Sequence, residues 1–465
     1  MNTADNRIHC FEHNGVRLVL DIASGAVHIL DPVSFALCRR LEAPLDARCP
    51  PILLDELSST HSAAAIAEAY GELYALWLDG LLFSEDLDIP AEAIKPADTP
   101  VKALCLHVSH DCNLRCQYCF AQTGDFGTRR SLMTPETARA AIDFVIQSAK
   151  GRRNIEIDFF GGEPLMAWET VKDTVEYANA QGAKADKVFR FTVTTNGVLL
   201  SDEVIDYINT HMSNAVLSVD GRRGINDAMR PTVSGKGSYD VIMPRFKKLV
   251  DGRDRDKDYY MRGTFTAKNL DFAADVLDLY NQGYDQISVE PVSAPEGAGF
   301  ELKESHLPAI RAEYWKLAEA MLALETKGES LNFFHFNVDL EQGPCVIKRL
   351  RGCGAGCEYV AVTPEGDIYP CHQFVGNEAF KMGNILENAF DKTRAAQFAA
   401  VSVYTRPACR DCWARFYCSG GCSAANFFSH GDINQSYELG CELEKMRLEC
   451  ALYLAARRAM DESDS

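Results

Sequence analysis

Cys112, Cys116 and Cys119 stand in the run Ser-His-Asp-Cys-Asn-Leu-Arg-Cys-Gln-Tyr-Cys-Phe, just after the apolar segment Leu104–Val108. Three thiolates within eight residues can cap three irons of a cubane [4Fe–4S] cluster, because such clusters are held by closely spaced cysteines. A three-cysteine set leaves one iron without a protein ligand, free to take a small molecule. Electron-transfer clusters usually have every iron capped, so an open iron points to chemistry. Buried structural thiols have no reason to recur at ligand spacing.

A second thiol-rich stretch lies far downstream. Cys353 is followed by Gly366-Asp-Ile-Tyr-Pro-Cys371, and then by Cys409-x2-Cys412-x5-Cys418-x3-Cys422 and Cys441. By spacing alone this stretch suits iron–sulfur clusters or tetrahedral zinc, since C-x2-C pairs serve both. Cys345 and Cys357 flank Cys353 and compete as one further ligand. Of the 17 cysteines none falls between 120 and 344, so two metal regions belong to distinct modules. Cys10, Cys38, Cys49 and Cys450 read as small core hydrophobes.

The elements that must position these thiols are legible as strand–helix units. Apolar strands are expected at Ala103–Val108, Ile155–Phe160, Phe189–Thr194, Ala215–Val219, Met261–Phe265 and Ile287–Val289. Thr134-Pro135-Glu136 and Ser201-Asp202-Glu203 carry helix start signals. Asn269–Asn281 and Ser305–Thr326 have apolar residues three and four apart. The fold class that follows is α/β: a partial (β/α)6 TIM-like barrel with an open side and ligands at the C-terminal strand edges. On that edge lie Gly161-Gly162-Glu163-Pro164, then Thr195 and Asn196, then Ser218 and Asp220, with Arg262 on the fifth strand and Glu290 closing the sixth. Paired glycines let a backbone approach a ligand closely, and the glutamate with nearby carbonyls can receive an ammonium.

Ahead of the barrel, Arg17–Leu20 and Ala26–Leu30 flank a turn, and Ser34–Leu41 and His61–Leu78 read as helices. Residues 1–98 carry 16 acidic against 6 Lys or Arg, over half of the net charge of −19. That charge, without a basic stripe, argues against nucleic acid as a partner. No apolar run reaches the roughly 20 residues of a membrane span. The N-terminus lacks the apolar core of a secretory signal, so a cytoplasmic protein with reduced thiols is expected.

The cysteine triad with Tyr118, followed by Gly-Gly-Glu-Pro, resembles the radical S-adenosylmethionine enzymes. That resemblance implies S-adenosyl-L-methionine bound to the open iron and cleaved to a 5′-deoxyadenosyl radical, with Cys112, Cys116 and Cys119 as the catalytic centre. It implies that Gly161, Gly162, Glu163 and Pro164 serve the methionyl end and that Tyr118 lies beside the adenine, with Thr195, Asn196, Ser218, Asp220 and Arg262 as further cofactor-binding residues. The C-terminal cysteines are similar to the SPASM extension. Carried over by position, Cys353, Cys371 and Cys422, with Cys345 as candidate fourth ligand, hold one auxiliary [4Fe–4S] cluster. Cys409, Cys412, Cys418 and Cys441 hold a second, giving three clusters in all. The stretches Val101–Ala121, Asp158–Pro164, Val362–Gln373 and Cys412–Cys422 resemble the maturases of SCIFF peptides, a ranthipeptide group.

The organisation expected is therefore an RRE-like leader-peptide-binding domain over 1–98, a radical SAM partial barrel over 99–330, a SPASM domain over 331–450 and a C-terminal tail over 451–465. The activity implied is a peptide thioether synthase joining cysteine sulfurs of a small cysteine-rich ribosomally made peptide to carbon. Its partners would be that precursor, bound through its leader, and a reductant such as flavodoxin or ferredoxin. A sulfatase-type maturase making formylglycine, and a non-catalytic iron–sulfur redox sensor, are the competing readings. The long acidic N-terminal module weighs against the first and Gly-Gly-Glu-Pro against the second.

Overall fold

The computed structural model describes residues 3–86, 89, 100–338, 340 and 346–463. Near the N-terminus β1 (Ile8–His13), β2 (Val16–Asp21) and β3 (Val27–Leu30) form an antiparallel sheet in that order. Asn14 and Gly15 close the first hairpin with φ of 46° and 80°, the backbone that a two-residue turn requires. Successive side chains on a strand face opposite sides, and both sides of this sheet are covered. Ile8, Cys10 and Val19 pack with Phe35, Leu37, Ile66 and Leu73 of the module's own helices. Phe11, Val16, Leu18 and Leu20 belong instead to the main core of the molecule.

The central sheet is a parallel partial barrel. Strands β4 (Ala103–Ser109), β5 (Asn154–Gly161), β6 (Val188–Thr195), β7 (Asn214–Ser218), β8 (Asp258–Phe265) and β9 (Gln286–Pro291) lie side by side in chain order. All five pairings are parallel. Leu104, Leu106 and Val108 of β4, with Ile155, Ile157 and Phe159 of β5, bury against helical Ala138, Ile142, Val171 and Val175. The alternate positions Cys105, His107, Asp158 and Phe160 face the other way. Helix starts follow the sequence signals: Thr134 caps Pro135–Ser148 by accepting from Thr137 N, and Ser201 caps Asp202–His211 by accepting from Val204 N.

The sheet continues beyond the six strands. A short β10 (Asn332–Phe333) pairs parallel with β9, and β11 (Tyr359–Val362) pairs parallel with the free edge of β4. Antiparallel β12 (Ile368–Tyr369) completes that side. The C-terminal cysteine region is therefore continuous with the barrel through backbone hydrogen bonds. The last helix runs unbroken from Glu438 to Ser463, and Leu452, Tyr453 and Leu454 are buried. A separate tail over 451–465 is thus corrected: apolar residues three and four apart carry this helix into the core. No described helix is long and apolar enough to cross a membrane.

Gly376 marks how tightly the C-terminal region meets the loop after the cysteine triad. It has φ of +87°, and a Cβ there would lie 2.2 Å from Phe126 O. Gly283 has a similar φ of +91° with nothing within 4 Å. Gly283→Ala should cost about 1–2 kcal/mol from left-handed strain alone. Gly376→Ala should cost about 1–3 kcal/mol more from overpacking. Differential scanning calorimetry should show the larger drop in melting temperature for Gly376→Ala; equal drops would mean that the two regions part freely.

Candidate functional site

The triad occupies the loop leaving β4. Cys112, Cys116 and Cys119 are all half-buried, and each lies close enough to disfavour its neighbours' ionisation. Burial pushes the Cys112 thiol up to about 12, with the Glu163 carboxylate adding to the effect. Burial pushes Cys116 up to about 11 against the pull of Arg230. The outer side of the loop is pinned by backbone bonds from Arg115 N to Pro231 O at 2.7 Å and from Gln117 N to Met229 O at 2.8 Å.

The glycine pair ends β5 against this loop. A Cβ on Gly161 would lie 2.1 Å from Ser109 O, and one on Gly162 would lie 2.2 Å from Asp111 O. Gly162 N donates to Ser109 O at 2.7 Å and Glu163 N to Asp111 O at 2.9 Å. Glycine is thus needed for the approach of one backbone to another. Glu163 is buried, and its carboxylate accepts from Thr195 Oγ1 at 2.7 Å, Asn196 N at 2.8 Å and Leu165 N at 3.1 Å. Burial lifts it to about 7 while these donors pull it down. Asn196 passes the order on, donating from Nδ2 to Asn113 Oδ1 at 2.7 Å. Pro164 opens the short helical turn that follows.

The Tyr118 hydroxyl donates to Asp220 at 2.7 Å and accepts from Arg230 Nη1 at 2.8 Å. Asp220 is fully buried and also accepts from Thr264 N at 3.1 Å. Ser218 is half-buried at the end of β7. Arg262 Nη2 donates to Glu290 Oε2 at 2.7 Å, so the ends of the fifth and sixth barrel strands are joined by an ion pair.

Several polar residues around the barrel have no place in the sequence reading. His107 is fully buried, with Nδ1 3.2 Å from His110 Nε2 and with Nε2 unpartnered among the described residues. Burial raises Asp158 to about 6, with Glu156 contributing. His335 is held by Ser288 at 3.1 Å and by Arg447 Nη1 at 3.2 Å. The arginine can only donate, so Nδ1 of His335 accepts and Nε2 carries the proton. Burial drives this imidazole down to about 3, and it is neutral. Period-two alternation on β4 and β5 was a usable signal for His107 and Asp158, whereas His335 and Arg447 arrive from distant segments.

The C-terminal thiols form two sets. Cys353, Cys371 and Cys422 lie close enough for charge on one to disfavour charge on another. Cys409, Cys412, Cys418 and Cys441 line one cavity of about 510 Å³. Cys357 is buried near Cys353, with its thiol donating to Gly354 O at 3.3 Å. Cys345 falls outside the described residues.

Arg406 provides a test of whether these sets suit anionic clusters. It is 2% exposed and, among the described residues, donates only to Ile433 O, Gly420 O and the Ser423 hydroxyl. The ionisable groups near enough to act on it are the thiols of Cys409, Cys418, Cys422 and Cys353, drawn from both sets. A buried charge needs a counter-charge, and thiolate-bound clusters supply one. Around the triad, Arg230 stands in the same relation to Cys116. Both sites fit the group.

Comparison with known proteins agrees with this geometry. Residues 106–252 match the radical SAM superfamily model, and residues 353–413 match that of an iron–sulfur cluster-binding domain, SPASM. The radical SAM cyclopropyl synthase TigE of Paramaledivibacter caminithermalis is 24% identical over 360 residues, 74% of this chain and 73% of that protein. Native anSMEcpe with bound AdoMet and Cp18Cys peptide superposes with a TM-score of 0.63 at 17% identity, over 77% of this chain and 99% of that one. Streptococcus suis SuiB bound to precursor peptide SuiA superposes with a TM-score of 0.51 at 14% identity, over 95% of this chain and 100% of that one. The chain carries a radical SAM domain joined to a SPASM domain, a pairing that implies S-adenosylmethionine and iron–sulfur clusters as its cofactors.

Proposed function

We propose that this protein is a radical SAM peptide maturase that forms thioether crosslinks, cysteine sulfur to carbon, in a small cysteine-rich ribosomal peptide. The observation that carries the reading is the shared compartment of the two metal regions. Cys119 of the triad packs in the same cluster as Cys371, together with Cys105, Phe126, Phe160 and Phe374. Phe120 is 44% exposed and its ring lies against Phe160 and His372, so an aromatic group reaches the surface there.

In this reading Cys112, Cys116 and Cys119 hold the radical cluster, whose bound S-adenosylmethionine supplies a hydrogen-abstracting radical on reduction. The seven further cysteines of the two C-terminal sets hold auxiliary clusters, three clusters in all. The chain's own work is positional. The Glu163–Asn196–Asn113 bonds fix the loop bearing Cys112, Phe120 and Phe160 offer an aromatic surface to the peptide, and the Arg262–Glu290 pair orients a polar group. Each thioether bond would cost the acceptor carbon one hydrogen atom, taken by the 5′-deoxyadenosyl radical, and the thiol one proton, and the remaining electron would pass to an auxiliary cluster held by the C-terminal cysteines.

Peptide recognition falls to the N-terminal sheet, read as the RRE-like domain. The outer edge of β3 pairs with no other strand among the described residues, and Ile29 on it is 43% exposed. An added strand there would gain main-chain hydrogen bonds, with alternate side chains giving specificity. The peptide-bound structures of anSMEcpe and SuiB support a peptide substrate.

Four measurements test the reading. Replacing Cys112, Cys116 and Cys119 together by alanine should abolish 5′-deoxyadenosine and remove roughly four of about twelve irons per chain; undiminished 5′-deoxyadenosine would sink the radical-site assignment. Glu163→Gln sets an amide N–H₂ among three donors and should weaken S-adenosylmethionine binding by about 1–3 kcal/mol, roughly ten- to hundredfold in Kd. Parent-like binding by calorimetry would show that the loop holds without that carboxylate. Ile29→Lys should weaken precursor binding by about 1–3 kcal/mol, with iron content equal to the parent. By mass spectrometry the peptide product should be two hydrogens lighter per crosslink with its cysteine blocked to alkylation; a sulfur-free aldehyde would promote the formylglycine reading instead.

A further inference from the structure

Arg415 sits among the thiols of the second C-terminal set and is held there by the N-terminal module. Its side chain is 9% exposed and lines the same cavity as Cys409, Cys412, Cys418 and Cys441. Nη2 donates to Asp86 Oδ2 at 2.8 Å and Nη1 to Cys412 O at 3.2 Å. The guanidinium lies over the Phe416 ring at 4.8 Å. The remaining donor, Nε, is buried with no hydrogen-bond partner among the described residues. An arginine N–H cannot become an acceptor or lose its proton, so a buried one without a partner bears an uncompensated desolvation cost.

The hold on this segment comes from two sides. Asp86 also accepts from the Tyr404 hydroxyl at 2.7 Å. From β1, the His9 ring stacks on Trp413 at 3.7 Å with the planes 2° apart. His9 Nε2 lies 3.1 Å from Glu449 Oε1 on the last helix. Trp413 follows Cys412 directly, and Arg415 opens the helical turn that ends in Cys418. Two residues of the N-terminal module thus fix the backbone on which two of the four cavity thiols stand.

We infer that Arg415 contacts the second auxiliary cluster, its Nε–H donating to a cluster sulfur, and that Asp86 and His9 of the N-terminal module are its positioning residues. This rests on the proposal that Cys409, Cys412, Cys418 and Cys441 hold an iron–sulfur cluster. The cluster site is then assembled from the N-terminal module as well as the C-terminal one. Hydrogen bonds to sulfur, nearby charge and solvent exposure set a cluster's potential. A fixed cation with a donor makes the reduced form easier to reach. Losing Asp86 frees the guanidinium to swing out of the cavity.

The experiment is an EPR-monitored redox titration with iron counting on the full-length, anaerobically reconstituted protein. The variants are Arg415→Gln, Asp86→Asn, Asp86→Glu and, as control, Cys418→Ala. Arg415→Gln should lower the reduced-to-oxidised ratio of one cluster at fixed poise by tenfold or more. Asp86→Asn should shift the same cluster in the same direction by less, and Asp86→Glu should restore it. Cys418→Ala should remove about one cluster's iron, roughly four atoms. If Cys418→Ala loses that iron while Arg415→Gln titrates as the parent, the cluster stands and the role of Arg415 falls. If Cys418→Ala keeps all its iron, the cluster assignment itself falls. Should Arg415→Gln fail to load, Asp86→Asn decides: a parent-like potential and EPR signature there overturns the inference.

Discussion

The molecule depends on the two edges of one strand. β4 carries the triad loop at its C-terminal end, pairs with β5 on one side and accepts β11 on the other. The first pairing brings the glycine pair against Ser109 and Asp111, and the second brings Cys371 into the same apolar cluster as Cys119. A strand has only two edges, and both serve to juxtapose cysteine-bearing segments. Backbone hydrogen bonds set the spacing, so neither loop can drift without breaking a ladder. This is why Gly161, Gly162 and Gly376 lie where backbones meet: at each, a Cβ would fall within 2.2 Å of a carbonyl oxygen.

Charge is arranged on the same plan. Arg230, Arg406 and Arg415 are all buried, and each lies beside cysteines of a different group: the triad, the space between the two C-terminal sets, and the second set. Removing three guanidinium groups from water costs several kcal/mol each unless a counter-charge is present. Arg230 finds part of its own in Asp220 at 3.9 Å, and Arg415 in Asp86. Among the described residues Arg406 has only carbonyl and hydroxyl partners, and clusters held by the neighbouring cysteines would supply its counter-charge. The cations and the thiols are therefore one electrostatic unit. Loss of bound clusters would leave the cations inadequately compensated and destabilise the C-terminal region first.

Much of this was readable in the chain, and the gaps have physical causes. The six barrel strands follow from apolar runs, and the helix starts from Thr134-Pro135 and Ser201, because those signals are local. The triad and Gly-Gly-Glu-Pro were legible because their spacing is short. β11 was not, since four residues of strand carry little pattern and the partner lies some 250 positions away in sequence. β1 was missed although Asn14-Gly15 is a hairpin signal. Its alternation is blurred because one face packs on the module's own helices and the other on the main core. Arg406, Arg415, His335 and Arg447 gain meaning only from long-range contacts, which composition and periodicity do not carry.

The N-terminal sheet shows the same economy. With Phe11, Val16, Leu18 and Leu20 in the main core, the module is an integral layer, and removing it would bare that apolar surface to water. His13 repeats the pattern of His9 further along β1, stacking on Trp315 at 3.7 Å with Nε2 3.1 Å from Glu319. Two imidazole–indole stacks flanked by carboxylates thus tie β1 to the helices behind it. Among the described residues both β1 and β3 are edge strands, and these side-chain contacts cover the β1 edge while β3 has none of them. A peptide strand added at β3 would extend a sheet whose far strand is anchored beside Trp413 and the second cysteine set. Such an added strand would be set apart from the second cysteine set by the three strands of this sheet.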